Sequence, residues 1–224
     1  MKQHTILFDI NETVLDLSSL KPKFKTAFGD ESVMATWFSM LLHSSTVCIL
    51  TEVQTNFSTL AGTMLESIAA RMAITLSDKA RDDILNGFAS LPAHHDIKPA
   101  LTQLQSAGFR TVAFSNSSLN LISTQMTNAG LTEYFDEVIS VEETGSFKPD
   151  PAVYKFAAKQ LNQPLESLRL VATHDWDTHG ALSVGMSAAY INRSGAIYHP
   201  LYRQPDIYAS TMEDIVKHII KTEA

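Results

Sequence analysis

Thr5-Ile6-Leu7-Phe8-Asp9-Ile10-Asn11-Glu12-Thr13 decides the reading of this chain. Thr5–Phe8 is a short, uninterrupted apolar run rich in β-branched and aromatic residues, the pattern of a strand buried on both faces. It breaks at once into polar Asp9, Asn11, Glu12 and Thr13. Four further runs of this kind follow, at Thr111–Phe114, Glu137–Val141, Leu168–Thr173 and Ala188–Asn192. Between most of them lie helical patterns such as Ala100–Ala107 and Pro151–Leu161, with apolar residues at three- and four-residue spacing. Strand–helix–strand repeats of this length imply right-handed crossovers and an α/β fold, a doubly wound parallel sheet of Rossmann type.

One long stretch interrupts the alternation. From about Leu17 to Leu91 the patterns are helical only, punctuated by Gly29–Asp30, Thr55–Asn56 and Ser77–Asp78. Asn56 and Ser77 are suited to cap helix N-termini, and Asp78 adds an acid to the first turn. An insertion directly after the first strand is expected to form a separate cap over the strand ends. The expected division is therefore a core of residues 1–16 and 92–224 and a helical cap of residues 17–91. Pro200 and Pro205 mark a surface loop before a last helix at Met212–Ile220.

Composition narrows the functional classes. The 224 residues are 45% hydrophobic and 18% charged, an ordinary globular balance. A net charge of −7 with no basic run argues against nucleic acid or an anionic membrane as partner. No segment is expected to approach the roughly 20 apolar residues of a membrane span. Met1–His4 leads into an apolar run too short for a signal peptide. Cys48 is the only cysteine, which rules out an intrachain disulfide or a thiolate cluster. The expectation is a cytoplasmic protein acting on a small molecule; a homodimer is compatible with the sequence.

Ligands of open parallel sheets bind at the carboxyl ends of the strands. Here those ends read Asp9-Ile10-Asn11-Glu12-Thr13, Phe114-Ser115-Asn116-Ser117, Phe147-Lys148-Pro149-Asp150 and His174-Asp175-Trp176-Asp177. An Asp or Ser after one strand commonly only caps a helix; four polar crossings in this order point to a site. A desolvated, oriented Asp9 is a competent nucleophile, forming an ester that water then cleaves. Lys148 supplies the charge that keeps Asp9 ionised. Ser115 and Asn116 can donate to a substrate carboxylate or to oxygens where charge develops. Asp177, facing Lys148, is a candidate base or water-positioning group.

This combination resembles the haloacid dehalogenase superfamily over nearly the whole chain. Its motifs are matched by Asp9 through Thr13, by Ser115, by Lys148, and by Asp177 with Asp175 as a second acid. The closer likeness is to the type II 2-haloacid dehalogenases, which share Ser115-Asn116, Lys148-Pro149-Asp150 with Tyr154, and Trp176-Asp177 followed by Gly180-Ala181. The resemblance implies a substrate pocket drawn from Thr13, Asn11, Asn116, Ser117, Tyr154 and Trp176, with Phe38 and His43 reaching it from the cap. Trp37 is a further candidate from the cap.

Two alternatives stand beside a dehalogenase. One is a phosphatase, with Mg²⁺ on Asp9, Asn11 and Asp177; the other is a non-catalytic binding module on the same fold. Superfamily phosphatases usually carry a second Asp two residues after the nucleophile, to protonate a departing alkoxide, and this chain has Asn11. A halide leaves without a proton, so carbon–halogen cleavage without a cofactor is the favoured reading. Two positions depart from the dehalogenase pattern. The family's cap arginine has no counterpart, because the matching region reads Thr36-Trp37-Phe38-Ser39 and no Arg precedes Arg71. The family's Asn in the fourth motif is replaced by His174, where the hydrolytic water is handled.

Overall fold

A computed structural model describes residues 5–223; the opening Met1–His4 lies outside them. Six parallel strands, β1 (Thr5–Phe8), β2 (Arg110–Ser115), β3 (Glu137–Ser140), β4 (Leu168–Ala172), β5 (Ser187–Ile191) and β6 (Ile207–Ala209), stand in the order β3-β2-β1-β4-β5-β6. Leu7 of β1 sits opposite Val112 and Leu170, and Ile6, Leu7 and Phe8 have no exposed surface. A strand walled by neighbours on both edges and helices on both faces has only apolar positions to offer, which is why its sequence does not alternate. The chain runs outward from β1 to β3 on one side and resumes at β4 on the other. β1 therefore lies at the switch point, and its carboxyl end opens into the crevice between β2 and β4.

Helices α5 (Ile97–Ser106), α6 (Leu119–Asn128), α7 (Pro151–Gln160), α8 (Asp175–Ser183) and α9 (Met212–Glu223) cover this sheet, α5 packing on α9 and α7 on α8. The five strands expected from sequence are present, with ends shifted by at most two residues. The sixth was expected as loop. β6 is a three-residue edge strand with one buried side chain, too short and too exposed to leave an apolar run.

Between β1 and α5 come four helices, α1 (Lys21–Phe28), α2 (Val33–Thr51), α3 (Phe57–Arg71) and α4 (Asp78–Phe88). Their boundaries follow the expected signals. Asn56 accepts from the Thr59 amide at 2.8 Å, Ser77 from that of Ala80 at 3.2 Å, and Gly29 ends α1 with a φ of 78°. The segments that leave and re-enter the sheet run side by side. The Asp16 amide donates to the Pro92 carbonyl at 2.8 Å and that of His94 to Val14 at 3.0 Å.

Two expectations are corrected here. Contrary to the expectation of no span-length segment, α2 is long and apolar enough, by length and composition alone, to cross a membrane. Its buried residues Met34, Trp37, Leu41, Ser45 and Cys48 recur at helical spacing, and the helix packs on α3 and α1, as a helix of a folded domain does. Trp37, a candidate to line the pocket, belongs to the core of the cap. Fully buried, it donates from Nε1 to the Ala61 carbonyl at 3.0 Å, and its ring lies among those of Phe24 and Phe88.

Candidate active site

Asp9 is the first residue beyond β1, with its amide tied to the Val171 carbonyl at 3.0 Å. The side chain is buried and each oxygen has its own partners. Oδ1 accepts from Lys148 Nζ at 2.9 Å. Oδ2 accepts from the Thr13 hydroxyl at 2.7 Å and lies 3.1 Å from His174 Nδ1. Thr13 Oγ1 in turn accepts from the Thr173 amide at 2.9 Å, which turns its proton toward Asp9. Burial alone would raise the Asp9 carboxyl; Lys148 and His174 outweigh it and hold the group well below the usual carboxylate range.

Lys148 is buried beneath the crevice. It donates from Nζ to Asp9, to Asp177 Oδ2 at 2.6 Å and to the Phe114 carbonyl at 3.2 Å. Its three protons are thus spent, and its amide donates to Asn116 Oδ1 at 2.8 Å. Burial works against the ammonium, but Asp177 and Asp9 keep its pKa above the ordinary lysine value. The following Lys148–Pro149 peptide is cis. Asp177 has no exposed surface, and its other oxygen accepts from the Tyr154 hydroxyl at 2.7 Å. Burial and the charge of Asp9 push Asp177 up despite Lys148.

The tight approach of α8 to α7 depends on Gly180. A Cβ there would meet the Tyr154 hydroxyl and come within 2.9 Å of Pro149 Cβ. Gly180→Ala is therefore expected to force Tyr154 off Asp177 and to cost about 1–3 kcal/mol, as overpacking does. Thermal denaturation alongside turnover checks it; an unchanged melting temperature would count against the packing.

His174 opens α8. Its Nε2 lies 2.9 Å from Glu12 Oε2, and its ring stacks on Trp176 at 5.0 Å and faces Phe38 of α2 at 6.2 Å. Burial disfavours the imidazolium, but the bonds to Asp9 and Glu12 raise its pKa to about 10. Phe38 and Trp176 thus flank His174, Phe38 from the cap. His43 lies further out, in a cavity of about 290 Å³ shared with Lys148, Pro149, Trp176 and Tyr202. A larger cleft, about 510 Å³, lies between α1 and α4, away from Asp9.

The remaining candidates form a second tier. Asn11 is turned toward the loop after β2 and toward α6. Its Nδ2 donates to the Ser117 hydroxyl at 3.4 Å and its Oδ1 accepts from Gln125 Nε2 at 3.2 Å. The Ser115 hydroxyl accepts from the Ser117 amide at 3.2 Å, so it shapes the loop after β2. Asp175 is not brought to Asp9; its oxygens accept from the amides of Trp176 and His199. A divalent ion on Asp9, Asn11 and Asp177 does not fit this donor set. Lys148 sits between the two carboxylates, and all four of their oxygens already accept hydrogen bonds.

Two residues of the site were not anticipated. Glu12 was read only as part of the first loop, although an acid three residues past a candidate nucleophile is a signal. Gln125 is fully buried and bonds both Asn11 and the Phe88 carbonyl; its place on the apolar face of α6 beside Ile122 and Met126 was the available sign.

A buried carboxylate at the end of the switch-point strand is thus paired with a buried lysine and a second buried acid. The chain belongs to the haloacid dehalogenase-like hydrolase family, whose sequence model matches residues 4–168. It is 24% identical to an (S)-2-haloacid dehalogenase of Pseudomonas sp. strain YL, over 95% of this chain and 92% of that protein. It is 27% identical to an (S)-2-haloacid dehalogenase of Pseudomonas putida, over 89% of each. Its fold superposes on the L-2-haloacid dehalogenase of Xanthobacter autotrophicus with chloropropionic acid covalently bound, at a TM-score of 0.91 and 21% identity, over 99% of this chain and 100% of that one. The helical insertion corresponds to the cap domain of such folds.

Proposed function

We propose that the protein displaces halide from a short 2-halocarboxylate by attack of Asp9 on the halogen-bearing carbon, followed by hydrolysis of the Asp9 ester. The observation that carries this reading is the state of Asp9: desolvated, ionised and aimed by Lys148, Thr13 and His174. Asn11 supports it. The amide is no acid and is committed to Ser117 and Gln125, so no side chain at that position serves a leaving group that needs a proton. Relatives along nearly the whole chain are named (S)-2-haloacid dehalogenases. In this reading residues 17–91 act as the cap, with Phe38 and His43 on its inner side. The loop Ser115–Ser117 receives the substrate carboxylate. The reaction runs without a metal or other cofactor, in the cytoplasm.

A paired assay tests it, with halide release from 2-chloropropionate in EDTA against phosphate release from phosphoesters with Mg²⁺. Halide release undiminished by EDTA is expected. With Thr36–Ser39 in place of the family's cap arginine, one charge-assisted hydrogen bond is missing, worth about 1.5–3 kcal/mol. kcat/KM should therefore fall roughly ten- to hundredfold below arginine-bearing relatives. Phosphate release that needs Mg²⁺, with no halide release, would overturn the proposal.

A further inference from the structure

His174 touches two carboxylates at once. Nδ1 faces Asp9 Oδ2 at 3.1 Å and Nε2 faces Glu12 Oε2 at 2.9 Å. An ionised carboxylate only accepts, so both ring nitrogens carry protons and the resting ring is a cation. Its ring also lies against the uncharged faces of Trp176 and Phe38; Lys148 holds the opposite oxygen of Asp9, and the adjacent Asp175 is turned to the amides of Trp176 and His199. Glu12 holds a φ of 64°, a left-handed conformation that side chains other than glycine avoid. Its carbonyl is also tied to His94 Nε2 at 3.0 Å, so the loop that aims this acid at the ring is both strained and anchored.

Asp177 is poorly placed to meet water. It is fully buried, with Oδ1 taken by Tyr154 and Oδ2 by Lys148. It holds Lys148 in place.

Resting on the dehalogenase reading, we propose that His174, oriented by Glu12, is the base that activates water for attack on the Asp9 ester. Alkylation turns one of the two carboxylates around the ring into a neutral ester. The imidazolium then keeps only Glu12 as counter-charge and sheds its Nδ1 proton to solvent, the one proton that halide hydrolysis must release. Glu12 keeps the remaining proton on Nε2, which leaves the Nδ1 lone pair facing the ester. Water bonds to Asp9 Cγ while Nδ1 takes its proton, and the carbonyl electron pair moves onto the oxygen that carries no alkyl group. Either oxygen has a donor for this, Lys148 Nζ on Oδ1 or the Thr13 hydroxyl on Oδ2. Collapse breaks the bond from Cγ to the alkylated oxygen, and the alkoxide leaves with the proton from Nδ1. The new Asp9 carboxyl passes its own proton to Nδ1 and restores the resting pair. His174 is the catalytic residue and Glu12 the positioning residue.

Single-turnover reactions of the full chain with (S)-2-chloropropionate separate the two steps, with halide read in solution and the ester by intact-protein mass. The wild type should release one halide per chain and lose its ester at a rate that rises with pH and levels off above about 6.5, the ordinary histidine value. In His174→Ala the ester should accumulate to nearly one per chain and persist about 100-fold longer or more, the scale of general-base catalysis. Its decay should lose the inflection. Glu12→Gln, nearly isosteric at a partly exposed side chain, should slow ester decay and displace the inflection without preventing ester formation. Ester lifetimes and pH profiles equal to wild type in both variants would overturn the base. Absence of halide release from the wild type would instead remove the dehalogenase reading, and this inference with it.

Discussion

Asp9→Asn is expected to lower turnover by about 10⁴-fold or more, the scale on which removing a covalent nucleophile acts. The substitution keeps the shape of the side chain and removes the charge, so the loss reports chemistry. A neutral amide cannot displace halide from carbon, and Asn11 two residues on is turned away toward Ser117 and Gln125. On the proposed mechanism water attacks Asp9 Cγ, so a single turnover in ¹⁸O-water should leave one heavy oxygen in the Asp9 carboxylate and none in the first product. Peptide mass mapping reads the label. The same variant should release His174: with one of its two anions gone, its pKa should fall from about 10, a shift visible in the imidazole NMR signals. Retained turnover in Asp9→Asn, or ¹⁸O appearing first in the product, would sink the nucleophilic role.

Much of this arrangement was legible before any coordinates. β1, β2 and β4 are buried on both faces, so their centres read as apolar runs, interrupted in β4 by Arg169, which is paired with Asp206 and Glu223, and the polar residues that follow them mark the crevice. The cap helices announced themselves through Asn56, Ser77 and Gly29, whose roles are local and readable within one turn. What stayed hidden depends on direction rather than composition. Nothing in the sequence says that Glu12 takes a positive φ, or that its carboxylate reaches a histidine 162 positions away. Asn11 sits two residues from Asp9 in sequence yet serves the loop after β2. Trp37 and Phe38 are neighbours on α2, and one helical step of about 100° puts the first in the cap core and the second against His174.

Lys148→Met should both abolish activity and destabilise the fold in a pH-dependent way. The ammonium lies between two buried carboxylates, 2.9 Å from Asp9 and 2.6 Å from Asp177, and methionine fills its space without its charge. Breaking a buried ion pair in this manner costs about 3–5 kcal/mol, because the partners stay buried and uncompensated. For a chain of this size that corresponds to a melting temperature lower by roughly 10 °C at neutral pH. In the wild type the Asp9 carboxyl is held low, so its share of stability is present above the unfolded value of about 3.9 and is lost only as pH falls through the folded one. In the variant this balance shifts toward the protonated forms. Asp177, already raised, loses its counter-ion and rises further, and Asp9 keeps only His174, so the variant's folded state binds more protons than the wild type's and gains on it as pH falls. The melting-temperature gap between wild type and variant should therefore narrow steadily from pH 7 toward pH 4. Arginine should not restore the wild type, because a planar fork cannot reproduce three donors converging on Asp9, Asp177 and the Phe114 carbonyl. Calorimetry at several pH values decides it: a gap that stays constant or widens on acidification would mean that Lys148 is not the counter-ion that keeps these two carboxylates buried.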